Sequence, residues 1–200
     1  MKITPSTDKM IKEFSRFPGI GTKSAQTLSI FLLKYSDSEI ENFISAIRDL
    51  KNNVRWCSKC YNISENELCD ICSNENRDNE TLCVVESFMD VISIENTCMF
   101  NGLYHVLHGR LSPINGIGPE DLKIKELIDR VEKKKIRELL LATNTDIEGE
   151  ATGLFILNIL SGKVDKITRL ATGLPIGSQL QYTDSKTLSL SLHNREIIKK

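Results

Sequence analysis

The sequence predicts a multi-module α/β protein: an N-terminal three-helix region, a small four-cysteine module, a mostly parallel sheet with flanking helices, and a short C-terminal segment. Three observations carry this expectation. Apolar residues recur at helical spacing through the N-terminal region. Four cysteines then fall in two close pairs between positions 57 and 72. From Leu82 onward, short apolar runs alternate with helical patterns, the arrangement that builds a parallel sheet covered on both faces.

Taken in order, Met10, Ile11, Phe14 and Phe17 form the apolar stripe of a first helix. Pro18-Gly19-Ile20-Gly21 interrupts it, and Ala25, Leu28, Phe31, Leu32 and Tyr35 form a second stripe. Ser38 with Glu41 three residues later reads as a capping box, opening a third helix through Phe43, Ile44, Ile47 and Leu50. After the cysteines, the polar stretch Ser73 to Glu80 reads as a linker. Leu82 to Val85 is an expected strand ending at Glu86, followed by about ten residues of helix. Leu103 to Leu107 is a further strand. The Gly/Pro-rich loop Ser112 to Pro119 leads into a helix carrying Ile124, Leu127, Ile128 and Val131. Glu138 to Ala142 is an expected buried strand, followed by a helix from about Glu150 to Leu160 and a strand from Ile167 to Leu170. Asp184 is placed to cap a last helix through Leu188 and Leu192.

The chain has 200 residues and is 40% hydrophobic, enough for one ordinary core with small appended modules. No run approaches the roughly 20 apolar residues of a membrane helix, and Met1 to Ser6 leads into no apolar segment, so a cytoplasmic protein without secretory signal is expected. The net charge of −1 conceals an asymmetry. Residues 1–60 hold ten Lys or Arg against six Asp or Glu, and residues 61–200 hold sixteen against twenty-one. A polyanion is expected to meet the N-terminal part first.

Cys57-Ser-Lys-Cys60 and Cys69-Asp-Ile-Cys72 are separated by eight residues. Two residues between cysteines turn both sulfurs toward one tetrahedral ion, and the short connector joins the pairs. Zinc suits four thiolates, and four protein ligands leave no open position for catalysis. One structural zinc per chain is therefore expected. Cys83 and Cys98 lie outside the cluster and are expected as buried packing residues.

Gly19 and Gly21 allow a sharp turn and close backbone approach to a ligand. The N-terminus of the following helix suits a phosphate. Lys23 opposes the dipole of its own helix there, a placement that a phosphate would explain. Lys9, Lys12 and Arg16 add positive charge on the preceding helix. The segment resembles a helix-hairpin-helix motif, which holds DNA backbone phosphates without reading sequence. A plain turn between packed helices is the competing reading.

Glu86 closes one strand, and Asn144-Thr-Asp146-Ile-Glu148-Gly-Glu150 follows another. Sites in parallel sheets form beyond the carboxyl ends of strands. The arrangement resembles the Toprim domain, in which a glutamate and an Asp-x-Asp pair hold magnesium for phosphoryl chemistry. Asn144 replaces the first aspartate, so the carboxylate set is incomplete and tight magnesium binding is not expected. Glu86, Asp146 and Glu148 remain candidates for weak magnesium binding or for docking a partner. His105 and His108, three apart in an expected strand, are expected on opposite faces, and His193 receives no role.

The whole order resembles the RecR family of bacterial recombination mediators. Phe17-Pro-Gly-Ile-Gly21, Gly102-Leu-Tyr-His-Val-Leu107, Leu111-Ser-Pro-Ile-Asn-Gly-Ile-Gly-Pro119, Glu148-Gly-Glu-Ala-Thr152, Thr168-Arg169 and Gly173-Leu-Pro-Ile-Gly177 carry the resemblance. It implies a helix-hairpin-helix region over 1–53, a zinc module over 54–76, a degenerate Toprim domain over 80–175 and a C-terminal segment over 176–200. It also implies a non-catalytic DNA clamp that self-associates to dimers and a tetrameric ring. That clamp would work with RecO and RecF to load RecA on single-stranded DNA. Thr27, Thr172 and Gln181 depart from the family pattern, where arginine, arginine and glutamate are usual. Asp146 stands in place of a usual threonine, which returns the site toward metal binding. Two other classes compete: a magnesium-dependent nuclease or primase-like enzyme, which Asn144 disfavours, and a scaffold that binds no DNA, which the basic hairpin disfavours.

Overall fold

The computed structural model describes residues 4–195. It divides into two compact units, Met1–Val54 and Arg55–Lys200.

The first unit is helical: α1 (Pro5–Phe14), α2 (Thr22–Phe31) and α3 (Asp37–Asn53), with a 3-10 turn over Leu32–Lys34. Thr4 caps α1 and Pro5 occupies its first turn, where a missing N–H costs nothing. The α1 helix ends at Phe14, so Phe17 lies in the turn, exposed, its carbonyl accepting from the Ile20 N–H at 3.1 Å. The capping box of α3 is Ser36 with Glu39, not Ser38 with Glu41. Glu39 Oε2 accepts from the Ser36 N–H at 2.7 Å, and Ser36 Oγ accepts from the Glu39 N–H at 3.4 Å. The Ser-x-x-Glu pattern occurs twice, two residues apart; Ser36 has the extended backbone a cap requires (ψ 160°), whereas Ser38 is already inside the helix. Among the described residues of this unit, Ile11, Ala25 and Ser29 alone are buried, while Phe31, Leu33, Phe43, Ile47 and Leu50 are exposed.

The second unit begins with a small antiparallel ribbon, β1 (Arg55–Trp56) against β2 (Ile63–Ser64), followed by the single turn α4 (Asp70–Ser73). A four-stranded sheet follows, β3 (Asp78–Val85), β4 (Gly102–Val106), β5 (Glu138–Leu141) and β6 (Lys166–Arg169), in the order β4-β3-β5-β6 with every pairing parallel. Its connections are α5 (Phe88–Glu95), α6 (Ile124–Lys133) and α7 (Ile147–Leu160). The chain continues into α8 (Ser185–His193), capped by Asp184, whose carboxylate accepts from the Thr187 N–H at 2.9 Å.

Alternation along β3 divides the core in two. Leu82 and Val84 pack with Leu127 and Val131 of α6 and with Ile156 and Leu160 of α7. Cys83 and Val85 pack with Tyr104, Val106 and Val91 of α5, with Tyr61 and Ile71 of the cysteine module closing that side. The module thus does part of the covering that a helix performs in an ordinary doubly covered sheet. It also occupies the free edge of β4, because Cys60 C=O accepts from the Val106 N–H at 2.9 Å.

Several sequence expectations shift. The linker is shorter than Ser73–Glu80, since Asp78 already begins β3. Asp78 accepts from the Glu80 N–H and the Thr81 hydroxyl, so a polar strand start is satisfied at the sheet's exposed end. The α7 helix starts at Ile147 rather than near Glu150, because Asp146 supplies its N-cap. Cys98 is exposed, in a left-handed conformation (φ 54°) after α5, while Cys83 is buried as expected. His105 and His108 do not diverge: β4 ends at Val106, His108 turns left-handed (φ 62°), and both rings pack edge-on against Tyr61.

Replacing Ser36 with Ala is expected to cost about 1 kcal/mol of stability. Ser38→Ala, which removes no cap, is expected to change it by no more than roughly 0.5 kcal/mol. Urea unfolding followed by circular dichroism checks both, and equal effects would contradict the capping assignment.

Candidate functional site

The cysteine module builds from its turns. The Cys57 N–H donates to Asn62 C=O at 2.7 Å and the Tyr61 N–H to Cys57 C=O at 3.0 Å, closing a tight loop in which Tyr61 is left-handed (φ 64°). That loop aims Cys57 and Cys60 at a common point, while Cys69 at the start of α4 and Cys72 within it supply the other pair. All four sulfurs lie within 4.8 Å of one another and all four residues are buried. Zinc–sulfur bonds of about 2.3 Å in a tetrahedron place sulfurs in that range, so the donor set fits zinc. The Cys60 and Cys69 sulfurs approach to 3.5 Å, a spacing at which both serve one ion, and a bound cation favours their thiolate forms. Arg130 of α6 lies near all four sulfurs, and its Nη1 donates to Lys59 C=O at 3.3 Å and to Tyr104 C=O at 2.6 Å. One guanidinium therefore ties the module to β4 and offsets the negative charge of a zinc–tetrathiolate.

The hairpin lies in the first unit. Gly19 has φ 81°, a conformation that favours glycine, and Gly21 is the N-cap of α2. Gly21 offers no side chain to the first N–H groups of α2, and no acidic residue stands in that first turn. Lys23 is exposed there. Lys12 pairs with Asp8 at 2.8 Å and Arg16 with Glu13 at 2.9 Å, whereas Lys9 and Lys23 make no ion pair among the described residues. Thr27, one turn after Lys23, donates its hydroxyl to the Lys23 carbonyl at 3.1 Å and adds no second charge beside it.

Beyond the carboxyl ends of β3 and β5, the structure brings together Glu86, Asn144, Asp146 and Glu148, and adds a residue that sequence reasoning missed. Glu86 is 6% exposed, and Asn144 clamps it: the backbone N–H donates to Oε1 at 2.8 Å and Nδ2 to Oε2 at 2.7 Å. Burial raises the Glu86 carboxyl above the usual range despite those two donors. Asp146 accepts from the Gly149 N–H at 2.8 Å as the cap of α7, and that bond, with Arg110, holds its carboxyl below the usual range. Arg110, in the loop after β4, is the newcomer. It bonds Asp146 through Nη1 and Glu148 through Nε, the latter at 2.8 Å. Ser112 donates to the other Glu148 oxygen. The buried Thr152 donates to Glu148 C=O at 2.7 Å and accepts from the Leu111 N–H at 2.9 Å. Glu86, Asp146 and Glu148 are each engaged by a protein donor. Among the described residues, the group close enough to hold a metal is the cysteine tetrad.

A lone arginine in a glycine-rich loop, 36 residues before its partner Asp146, gives no local signal. Arg130 is equally silent in the sequence, reading as one charge on an amphipathic helix.

The fold and these sites define a class: a modular protein with a helical hairpin, a four-cysteine zinc finger and a Toprim domain whose carboxylates are engaged by donors of the same chain. Comparison with known proteins narrows it. Residues 7–51 match the RecR helix-hairpin-helix model, 54–74 the RecR four-cysteine zinc finger domain, 80–171 the Toprim domain and 173–196 the RecR C-terminal model. The chain is similar to "Recombination protein RecR" of Syntrophotalea carbinolica, 44% identical over 195 residues, covering 98% of each chain. It is 42% identical over 194 residues to that of Desulfatibacillum aliphaticivorans (97% and 98% covered) and 43% over 190 to that of Carboxydothermus hydrogenoformans (95% and 96%). The chain belongs to the RecR family, and its zinc is structural.

Cys60→Ala is expected to lose the zinc and to unfold the module, which has too few apolar side chains to order itself and depends on a metal contribution of about 10–16 kcal/mol. Metal analysis of the purified variant checks this, and an unchanged zinc content contradicts it. At Gly149, a Cβ would stand 2.3 Å from Asn144 O and 2.8 Å from Glu86 Oε1. Gly149→Ala is expected to cost about 1–3 kcal/mol and to move the Asn144 amide signals in NMR spectra; unmoved signals would mean the cluster has slack.

Proposed function

We propose that this chain is a non-catalytic DNA-binding clamp and mediator of recombinational DNA repair. The relatives' printed name, recombination protein, agrees with such a role. One observation carries the non-catalytic part: Arg110 stands between Asp146 and Glu148 while Asn144 holds both oxygens of Glu86. A magnesium ion would have to displace a tethered guanidinium that cannot lose its charge. The Asp146 and Glu148 face, with Glu86 buried beneath it, then serves to dock a protein partner. By resemblance, RecO and RecF are the partners and RecA loading on single-stranded DNA the outcome.

DNA is held at the hairpin, where Gly19 and Gly21 expose backbone N–H groups and Lys23 is a cation with no ion pair among the described residues; Lys9, Lys12 and Arg16 add to the local field. Self-association draws support from the exposed apolar side chains of the helical unit. Met10, Phe14, Phe17, Phe43 and Ile47, with Glu13 and Arg16, line a cavity of about 470 Å³ in that unit, and apolar side chains gathered at one exposed place suit a protein contact. We take 1–53 as the DNA-binding region, 54–76 as the zinc module, 80–175 as the Toprim domain and 176–200 as the C-terminal segment. No helix among the described residues is long and apolar enough to cross a membrane, and a cytoplasmic, nucleoid-associated location follows from the DNA role.

The test is DNA binding by the zinc-loaded protein over a salt series, with and without magnesium, for wild type and Lys23→Ala. Affinity is expected to fall steeply with salt, and losing one phosphate contact should reduce the log–log slope by about 0.7–0.9. Binding indifferent to salt would overturn the clamp. Nicked or extended DNA in the magnesium lanes would replace it with a nuclease or primase-like enzyme.

A further inference from the structure

We infer that the zinc module and the C-terminal end of α6 form a second nucleic-acid site, separate from the hairpin, in which Trp56 stacks on a base of a single strand and Lys59, Lys133 and Lys134 hold its phosphates. The inference rests on the DNA-binding reading above and adds to it a strand preference and a place.

The first observation is an aromatic row. Trp56, the one tryptophan of the chain, is 52% exposed on the β1–β2 ribbon. Leaving a large indole in water forgoes the burial that normally stabilises such a side chain. It is also backed: the His108 ring meets the indole with centroids 4.2 Å apart at 67°. His108 in turn stands 6.4 Å from the Tyr61 ring, edge to face. His108 and Tyr61 both hold left-handed backbone conformations, φ 62° and φ 64°, that side-chain-bearing residues seldom adopt. That of Tyr61 belongs to the loop that aims the cysteines, and that of His108 turns its ring between Trp56 and Tyr61.

The second observation is charge. Tyr61 also borders a cavity of about 270 Å³ walled by Lys59, Lys133 and Lys134, with Arg130 alongside. None of these three lysines makes an ion pair among the described residues. Two carboxylates share the cavity, and Glu126 is neutralised by Lys123 at 2.9 Å, which leaves Asp129, among the described residues, as the one lining acid against the three lysines, Arg130 being committed to the cysteine module. An aromatic row beside unpaired cations is the surface that binds single strands, since base faces are open to stacking only when the duplex is not formed. The cations alone would accept any polyanion. The exposed indole is what selects a base.

Emission from Trp56 reports directly, because no other tryptophan contributes. Full-length, zinc-loaded protein is titrated with oligothymidylate, oligouridylate, a blunt DNA duplex and inorganic polyphosphate, while anisotropy of labelled strands reads binding independently. Oligothymidylate is expected to quench Trp56 saturably, and duplex and polyphosphate to leave it nearly unchanged; quenching by oligouridylate to the same degree assigns the site to single strands of either sugar. Trp56→Leu is expected to weaken single-strand binding roughly tenfold, the scale of one lost stacking contact. Lys133→Ala with Lys134→Ala should lower the salt slope by about 1.4, two phosphate contacts on a single strand. All three positions are exposed, and retained zinc content verifies that each variant is folded. Lys23→Ala should weaken overall binding yet keep the quench. Strands that bind by anisotropy without quenching Trp56, and with no effect of Trp56→Leu or the double lysine change, overturn this site and leave the hairpin standing. Equal quenching by duplex or polyphosphate overturns the stacking role. Absence of binding by any strand overturns both sites.

Discussion

The closed cluster of four thiolates is the constraint on which much of the larger unit depends. The segment from Cys57 to Cys72 has no apolar core of its own; its buried residues are chiefly the cysteines themselves. A tetrahedral ion is what allows so short and polar a segment to hold one shape. Once held, it projects Tyr61 and Ile71 onto the sheet, presents the Cys60 carbonyl to the edge of β4, and receives Arg130 from α6. The metal therefore acts at a distance: it keeps one edge and part of one face of a parallel sheet covered. It also fixes the ribbon that carries Trp56.

The carboxyl end of the sheet is organised differently. A Toprim-like arrangement of acids survives, but each acid has acquired a protein donor. Asn144 satisfies both oxygens of a buried glutamate, and Arg110 spans Asp146 and Glu148. An arginine supplies positive charge in a fixed planar geometry and at no physiological pH gives it up. The polar groups of the cluster thereby satisfy one another within the chain.

The helical unit is built on the opposite plan, with sound local structure and little burial. Two of its helices are capped, by Thr4 and by the Ser36–Glu39 box, yet few of its apolar side chains leave water. Local hydrogen bonding holds each helix. Its exposed phenylalanines and leucines remain in contact with solvent.

The order of the modules, the cysteine tetrad and the Lys23 hairpin are legible in the sequence because each depends on spacing along the chain. Pairs of cysteines two apart, glycines around a turn and alternating apolar runs are local patterns, and local geometry enforces them. What the tertiary structure alone decided was every partnership across long separations. Asp146 and Glu148 read as free acids until the fold brings Arg110 to them. Asn144 reads as a missing ligand until its amide is seen clamping Glu86. Even two neighbours, His105 and His108, escape the alternation of a strand, because the end of β4 and one left-handed residue turn both toward Tyr61. Sequence determines which groups a chain carries and how each segment prefers to bend. Which groups neutralise one another depends on loops whose meeting is set by the packing of the whole sheet, and that packing leaves no trace in any short window.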